Sequence, residues 1–190
     1  MPESLVEFFD EREVDLKIRN SKQTYFGRAI KKFKYEFASL MPDLGALFNL
    51  KNKILGFGYY GKGSSVRGRF ICNFPENVFL GDRVFVNYDC IFLSDNLIAV
   101  GSNVLLGPRV GIFTSNHRLN NDNYFTLESY PVSIEKNSWI GAYSIILPGV
   151  NIAEGTCVGA GSVVTKSTEP YSLYAGNPAQ KIKDLENKLC

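Results

Sequence analysis

From Phe74 to Val164 a large apolar residue returns every six positions, in three series: Phe74, Leu80, Val86, Phe92; Val100, Leu106, Ile112; and Ile134, Ile140, Ile146, Ile152, Val158, Val164. Four places after most of these comes a small or β-branched residue, namely Val78, Val84, Cys90, Val104, Val110, Ser138, Ser144, Val150, Thr156 and Ser162. Glycine often follows the apolar residue directly, as at Gly81, Gly101, Gly141 and Gly159. A helix repeats every 3.6 residues and a simple strand every two, so neither makes this pattern. A six-residue unit cannot bury a face alone and must stack on copies of itself. Three such units make one triangular coil of a parallel β-helix, with the large residue inside, the small one near a corner, and glycine permitting the corner's backbone angles. The expected fold is therefore mainly β.

Two interruptions break the period. Phe92 to Val100 spans eight positions, so two extra residues bulge at a corner around Asp95. Ile112 to Ile134 is too long to be repeat throughout, so a long excursion leaves the stack between them. This extruded loop, at about 117–132, begins just after His117 and carries Asn120, Asn121, Asp122, Tyr124 and Phe125. Insertions are where solenoids carry function.

The flanks read differently. Ile30, Phe33, Phe37, Leu40 and Met41 recur at helical spacing between Arg28 and Pro42, with Lys31, Lys32, Lys34 and Glu36 on the other face. That helix is read as a cap on the first coil, with a membrane surface as the alternative partner. Leu44 to Leu55 suits a second short helix, the glycines from Gly56 to Gly63 suit a linker, and Ala179 to Leu189 suits a helix covering the last coil. The expected organisation is a helical cap region at 1–60, the β-helix at 61–168, and a turn and helix at 169–190.

Charge and composition narrow the field. Lys and Arg number 21 against 19 Asp and Glu, so no basic field argues for nucleic acid. The acidic N-terminus lacks the apolar core of a signal peptide, and no apolar run reaches the ~18 residues of a transmembrane helix. Cys72 and Cys90 fall in the small inward slot, Cys157 between inward positions, and none forms a CxxC pair. That usage fits free thiols in a reducing cytoplasm.

The strings Asn87-Tyr88-Asp89-Cys90, Leu106-Gly107-Pro108, Trp139-Ile140-Gly141, Pro148-Gly149-Val150, Val158 through Lys166, and Ala175-Gly176-Asn177-Pro178-Ala179 make the resemblance specific. Over roughly residues 66–183 the chain resembles the hexapeptide-repeat acyltransferases, and within them the maltose and galactoside O-acetyltransferases. The resemblance implies a left-handed β-helix, a homotrimer with clefts between subunits, and acetyl-CoA as acetyl donor. It implies no metal. The opening region has no counterpart in the sugar acetyltransferases. A chain of this size with a helical cap resembles the O-acetyltransferases of surface-polysaccharide clusters, so the expected acceptor is a hydroxyl of a sugar or polysaccharide precursor.

His117 is the chain's only histidine, and neutral imidazole is the usual general base. The resemblance gives it that role: it takes the proton from the acceptor hydroxyl, which attacks the thioester. Asn87 follows inward Val86, points outward at a corner, and matches the family asparagine that helps hold the acceptor sugar or the reacting geometry, with satisfying the turn backbone as its alternative. Asp95 matches a sugar-binding aspartate, with orienting the base or the acceptor both open, and Asn73 stands where some relatives contact sugar. Gly141 and Ala142 match the segment whose backbone N–H meets the thioester oxygen. Trp139 faces out and resembles a cofactor-tunnel residue, with subunit packing as its alternative. Ala160, Thr165, Lys166 and Lys181 match positions that hold pantetheine and the nucleotide end of CoA; for either lysine the alternative is plain solvation.

One histidine excludes the three-histidine zinc site of the γ-class carbonic anhydrases, and the stretch before the hexads is too short for the N-terminal domains of serine acetyltransferases. A streptogramin-type antibiotic acetyltransferase is the alternative enzyme, and a non-catalytic β-helix scaffold the alternative of another class.

Overall fold

The computed structural model describes residues 55–117 and 126–186. The helices expected before Leu55 and the middle of the extruded loop lie outside them. Within them the chain winds as a three-sided parallel β-solenoid, consistent with a left-handed β-helix.

The first face has five strands: Tyr59–Tyr60, Val78–Leu80, Ile98–Val100, Val132–Ile134 and Asn151–Ile152. The second stacks Ser65–Val66, Phe85–Val86, Leu105–Leu106, Trp139–Ile140 and Cys157–Val158, and continues into Ser172–Gly176 and Ala179–Asp184. The third stacks Phe70–Cys72, Cys90–Leu93, Gly111–Phe113, Ile145–Ile146 and Val163–Val164. A two-stranded antiparallel arm, Ser115–His117 with Leu127–Ser129, stands off the corner between the third and first faces.

Register fixes the coil lengths. Trp139 stacks on Cys157, three hexads further along the chain. Ala99 stacks directly on Ser133, so the whole excursion is looped out between neighbouring coils, as expected. The two upper steps, Tyr59 to Phe79 and Phe79 to Ala99, are each two residues longer than three hexads. The corner at Asp95 is thus one of two enlarged corners; the other is the 3₁₀ turn Pro75–Asn77.

That second enlargement corrects the register at its start. Phe74 is 38% exposed in a corner, not inward. The inward residue is Cys72, which stacks on Phe92. The sizes are swapped in this strand, because Phe70 occupies the small slot and meets the Phe92 ring edge-on at 4.9 Å between centroids. From Leu80 onward every expected large inward residue is buried.

The small slot accepts hydroxyls because a corner carbonyl faces each one. Ser138 Oγ donates to Ala153 O at 3.1 Å and Ser144 Oγ to Gly159 O at 3.0 Å. Cys72 and Cys90 are buried free thiols, and desolvation, as the main cause, pushes Cys90 up to about 11. Cys157 instead is in a disulfide, against the expectation of free thiols throughout, so that support for a reducing compartment is lost.

Three further expectations change. Glycine after the inward residue serves close stacking: a Cβ on Gly141 would sit 2.5 Å from Ala160 N. The left-handed corner angles fall elsewhere in the corners, shared between glycines (Gly63, Gly68, Gly149, Gly155 and Gly161) and non-glycine residues (Arg83, Asp89, Asn103, Arg109, Asn137 and Tyr143). The expected linker from Gly56 already contains a strand of the first coil, Tyr59–Tyr60. The expected helix from Ala179 is a strand over Ala179–Asp184, paired back on Ser172–Gly176. The reason is an open edge: Ser172–Gly176 extends the second face, and its outer N–H and C=O groups need a partner. Among the described residues no helix is long and apolar enough to cross a membrane.

Candidate active site

The corner between the third and first faces gathers Asn73, Asp95 and the arm that bears His117. Asp95 Oδ1 accepts from Asn73 Nδ2 at 3.0 Å, and Asp95 Oδ2 accepts from Ser115 Oγ at 2.5 Å. Asn73 Oδ1 in turn accepts from the backbone N–H of Ser94 at 2.6 Å and of Phe74 at 3.0 Å. His117 lies two residues beyond Ser115 on one strand, so their side chains leave on the same side. It is exposed, its backbone N–H donates to Asn116 Oδ1 at 2.9 Å, and its ring has no hydrogen-bond partner among the described residues. An imidazole without a partner is free to accept a proton from a bound hydroxyl.

Asn87 sits at another corner, between the second and third faces. Its Oδ1 accepts from Tyr88 N at 2.8 Å, while its NH₂ has no partner among the described residues. The full width of the third face separates this corner from the arm.

Ala142 and Ala160 stand on the same edge as Asn87, one coil apart. Neither amide N–H has an acceptor among the described residues. Next to Ala142, Gly141 lets the two coils stack closely, because only a residue without Cβ lets the Val158–Ala160 backbone come so close beneath it. Trp139, 48% exposed, lies on the adjoining second face in register with the equally exposed Leu105. These residues offer an apolar wall and a free N–H, the requirements of a thioester's carbonyl end.

The lysines differ. Lys166, with Thr165, is exposed at the lowest third-to-first corner and has no side-chain partner among the described residues. Lys181 is committed: its Nζ lies 2.6 Å from both Asp184 Oδ1 and Glu169 Oε2. Asp184 first, then Glu169, hold its ammonium above the ordinary lysine range, and Lys181 lowers Asp184 in return. A phosphate at Lys181 must displace these carboxylates.

The expected site residues therefore divide between two edges. Asn73, Asp95, His117, Thr165 and Lys166 lie on one; Asn87, Gly141, Ala142 and Ala160 lie on the other, with Trp139 on the second face and Lys181 on the hairpin that extends it. Ser115 and Asn96 were missed by sequence reasoning. The signal for both was available, since Asn96 is in the two-residue bulge and Ser115 precedes His117 by one strand period.

Residues 131–166 match the family model described as bacterial transferase hexapeptide (six repeats). A Schizosaccharomyces pombe protein provisionally named an acetyltransferase is 44% identical over 117 residues, or 59% of this chain and 55% of that protein. The chain spans between 55% and 62% of the length of the curated relatives it matches. A maltose O-acetyltransferase from Clostridium difficile 630 shares the fold with TM-score 0.79 at 35% identity, over 84% of this chain and 87% of that one. A hexapeptide-repeat acetyltransferase from Vibrio cholerae O1 biovar eltor, complexed with acetyl coenzyme A, gives TM-score 0.80 at 26% identity, over 88% and 92%.

Proposed function

This chain belongs to the hexapeptide-repeat transferase family, and on that premise we propose that it is an O-acetyltransferase. It moves an acetyl group from acetyl-CoA to a hydroxyl of a sugar or polysaccharide precursor. The observation that carries this reading is the sole histidine, exposed and with no hydrogen bond to its ring among the described residues, on an arm that leaves the coil.

The chemistry needs one base and one oxyanion donor. His117 takes the proton from the acceptor hydroxyl as its oxygen attacks the thioester carbon. Negative charge develops on the carbonyl oxygen, where the Ala142 N–H can donate. The C–O bond forms, the C–S bond breaks, and the proton on His117 passes to the departing thiolate. Asn87 holds the reacting geometry with its free NH₂. Asp95 and Asn73 stand on the acceptor side, beside the arm.

Trp139, Gly141, Ala142 and Ala160 hold the thioester and pantetheine, and Thr165 and Lys166 the distal part of the donor. Lys181 contributes only by exchanging its carboxylate partners for phosphate. Because the base and Ala142 lie on different edges of one prism, the site forms between two copies in a homotrimer.

The test is thiol release from acetyl-CoA across a panel of sugars, nucleotide sugars and streptogramin antibiotics. A saccharide acceptor is expected, and with it His117→Ala lowers turnover by roughly 10²–10⁴ while the fold is kept. Turnover of the variant within a few-fold of wild type refutes the base, and acetylation of the antibiotics alone refutes the acceptor class.

A further inference from the structure

The two residues inserted at the Asp95 corner do more than bulge. Each reaches a different strand of the arm. Asp95 Oδ2 accepts from Ser115 Oγ at 2.5 Å, on the outgoing strand. Asn96 Nδ2 donates to Ser129 O at 3.3 Å and lies 3.4 Å from Ser129 Oγ, on the returning strand. The backbone locks the same root: Asn96 N donates to Thr114 Oγ1 at 2.9 Å, and the buried Thr114 hydroxyl donates to Leu93 O at 2.8 Å. Tyr130 N donates to Thr114 O at 2.7 Å and closes the base of the arm.

The corner of the preceding coil braces this one. Asn73 holds Asp95 Oδ1 and the Ser94 N–H, while Asn77 Nδ2 donates to Ser94 O at 2.8 Å. The two enlarged corners are therefore one interlocked stack, and the arm stands on it.

We propose that Asp95 and Asn96 are positioning residues that clamp the two strands of the arm through Ser115 and Ser129, and so fix the direction of the His117 ring. This rests on His117 as the base, and it assigns Asp95 the role of orienting the base. Both carboxylate oxygens of Asp95 already accept bonds within the chain, one of them from the residue a strand period before His117. A short two-stranded arm has little stability of its own, so its direction depends on its root.

A chain with one histidine gives one set of imidazole signals in NMR, which reads the ring independently of activity. Ser115→Ala and Asn96→Ala each remove one strand's tie. Both are expected to shift the imidazole signals and give them the relaxation of a mobile side chain, with the thermal midpoint near wild type. Both lower kcat by roughly 10–100-fold, the cost of about 1 Å of misplacement, with KM for acetyl-CoA unchanged. Ser115→Thr keeps the hydroxyl and restores the signals and kcat. Wild-type imidazole signals in Ser115→Ala and Asn96→Ala overturn the clamp, whatever happens to kcat. If His117→Ala proves active, the base reading fails on its own, and the imidazole signals still decide the clamp.

Discussion

Gly141 shows how a single residue serves the coil and, in the proposed function, the site as well. Its missing Cβ lets the next coil's backbone approach until Ala160 N would be 2.5 Å and Val158 O 2.7 Å from any β-carbon placed there. Both obstacles are backbone, so neither can rotate away. Gly161 is a useful contrast, because its φ is +71° and nothing lies within 4 Å of its Cβ position. Alanine at Gly161 is strained by the left-handed angle alone, at about 1–2 kcal/mol. Gly141→Ala overpacks two coils and costs about 1–3 kcal/mol. It also displaces the Ala142 N–H, so it raises KM for acetyl-CoA or lowers kcat, whereas Gly161→Ala changes stability alone. Urea unfolding of the two variants, with kinetics beside it, tests this. A Gly141→Ala protein as stable and active as wild type removes the close-approach argument.

At the scale of elements, the hexads carried the fold because stacking demands a period, and a period survives in sequence. The large slot from Leu80 onward, the long excursion after Ile112 and the corner at Asp95 were all legible. Phe74 misled because Phe70 and Cys72 exchange sizes while the pair still fills the core. Composition by slot cannot see that exchange. The C-terminal helix misled for another reason: Ala179 to Leu189 has acceptable helix formers, but the open edge at Ser172–Gly176 sets a tertiary demand that outweighs propensity. The candidate site was legible residue by residue, yet its ties were not, since Asp95 to Ser115 crosses a coil boundary. The edge hairpin makes its own prediction. A chain ending at Gly176 leaves the second face with an unpaired strand, which is a template for association. Sedimentation of the truncated protein is expected to show aggregates at concentrations where the full chain has none, and a monodisperse truncated protein sinks the idea.

Across the whole molecule, the division of the site is the strongest constraint. Asn87 lies at the corner between the second and third faces and His117 beyond the corner between the third and first, so one prism cannot bring them together. Sequence counting agrees, because without the two-residue bulge His117 lies 28 repeat positions past Asn87, one coil of three hexads plus ten. In the proposed three-fold ring, one edge of each prism meets a different edge of its neighbour. Each site then needs His117 from one chain and Asn87 from the next. Mixing His117→Ala and Asn87→Ala proteins after dissociation and reassembly tests the ring directly. A junction is complete only where the His117 side belongs to the Asn87→Ala chain and the Asn87 side to the His117→Ala chain. Random assembly at equal amounts gives such a junction at about one site in four, by symmetry. Every mixed ring carries one such junction, whichever variant is in the majority. About a quarter of wild-type activity is therefore expected from two parents that each have almost none. If rings shown by native mass spectrometry to be mixed recover nothing, either the two residues act within one chain or Asn87 lies outside the site.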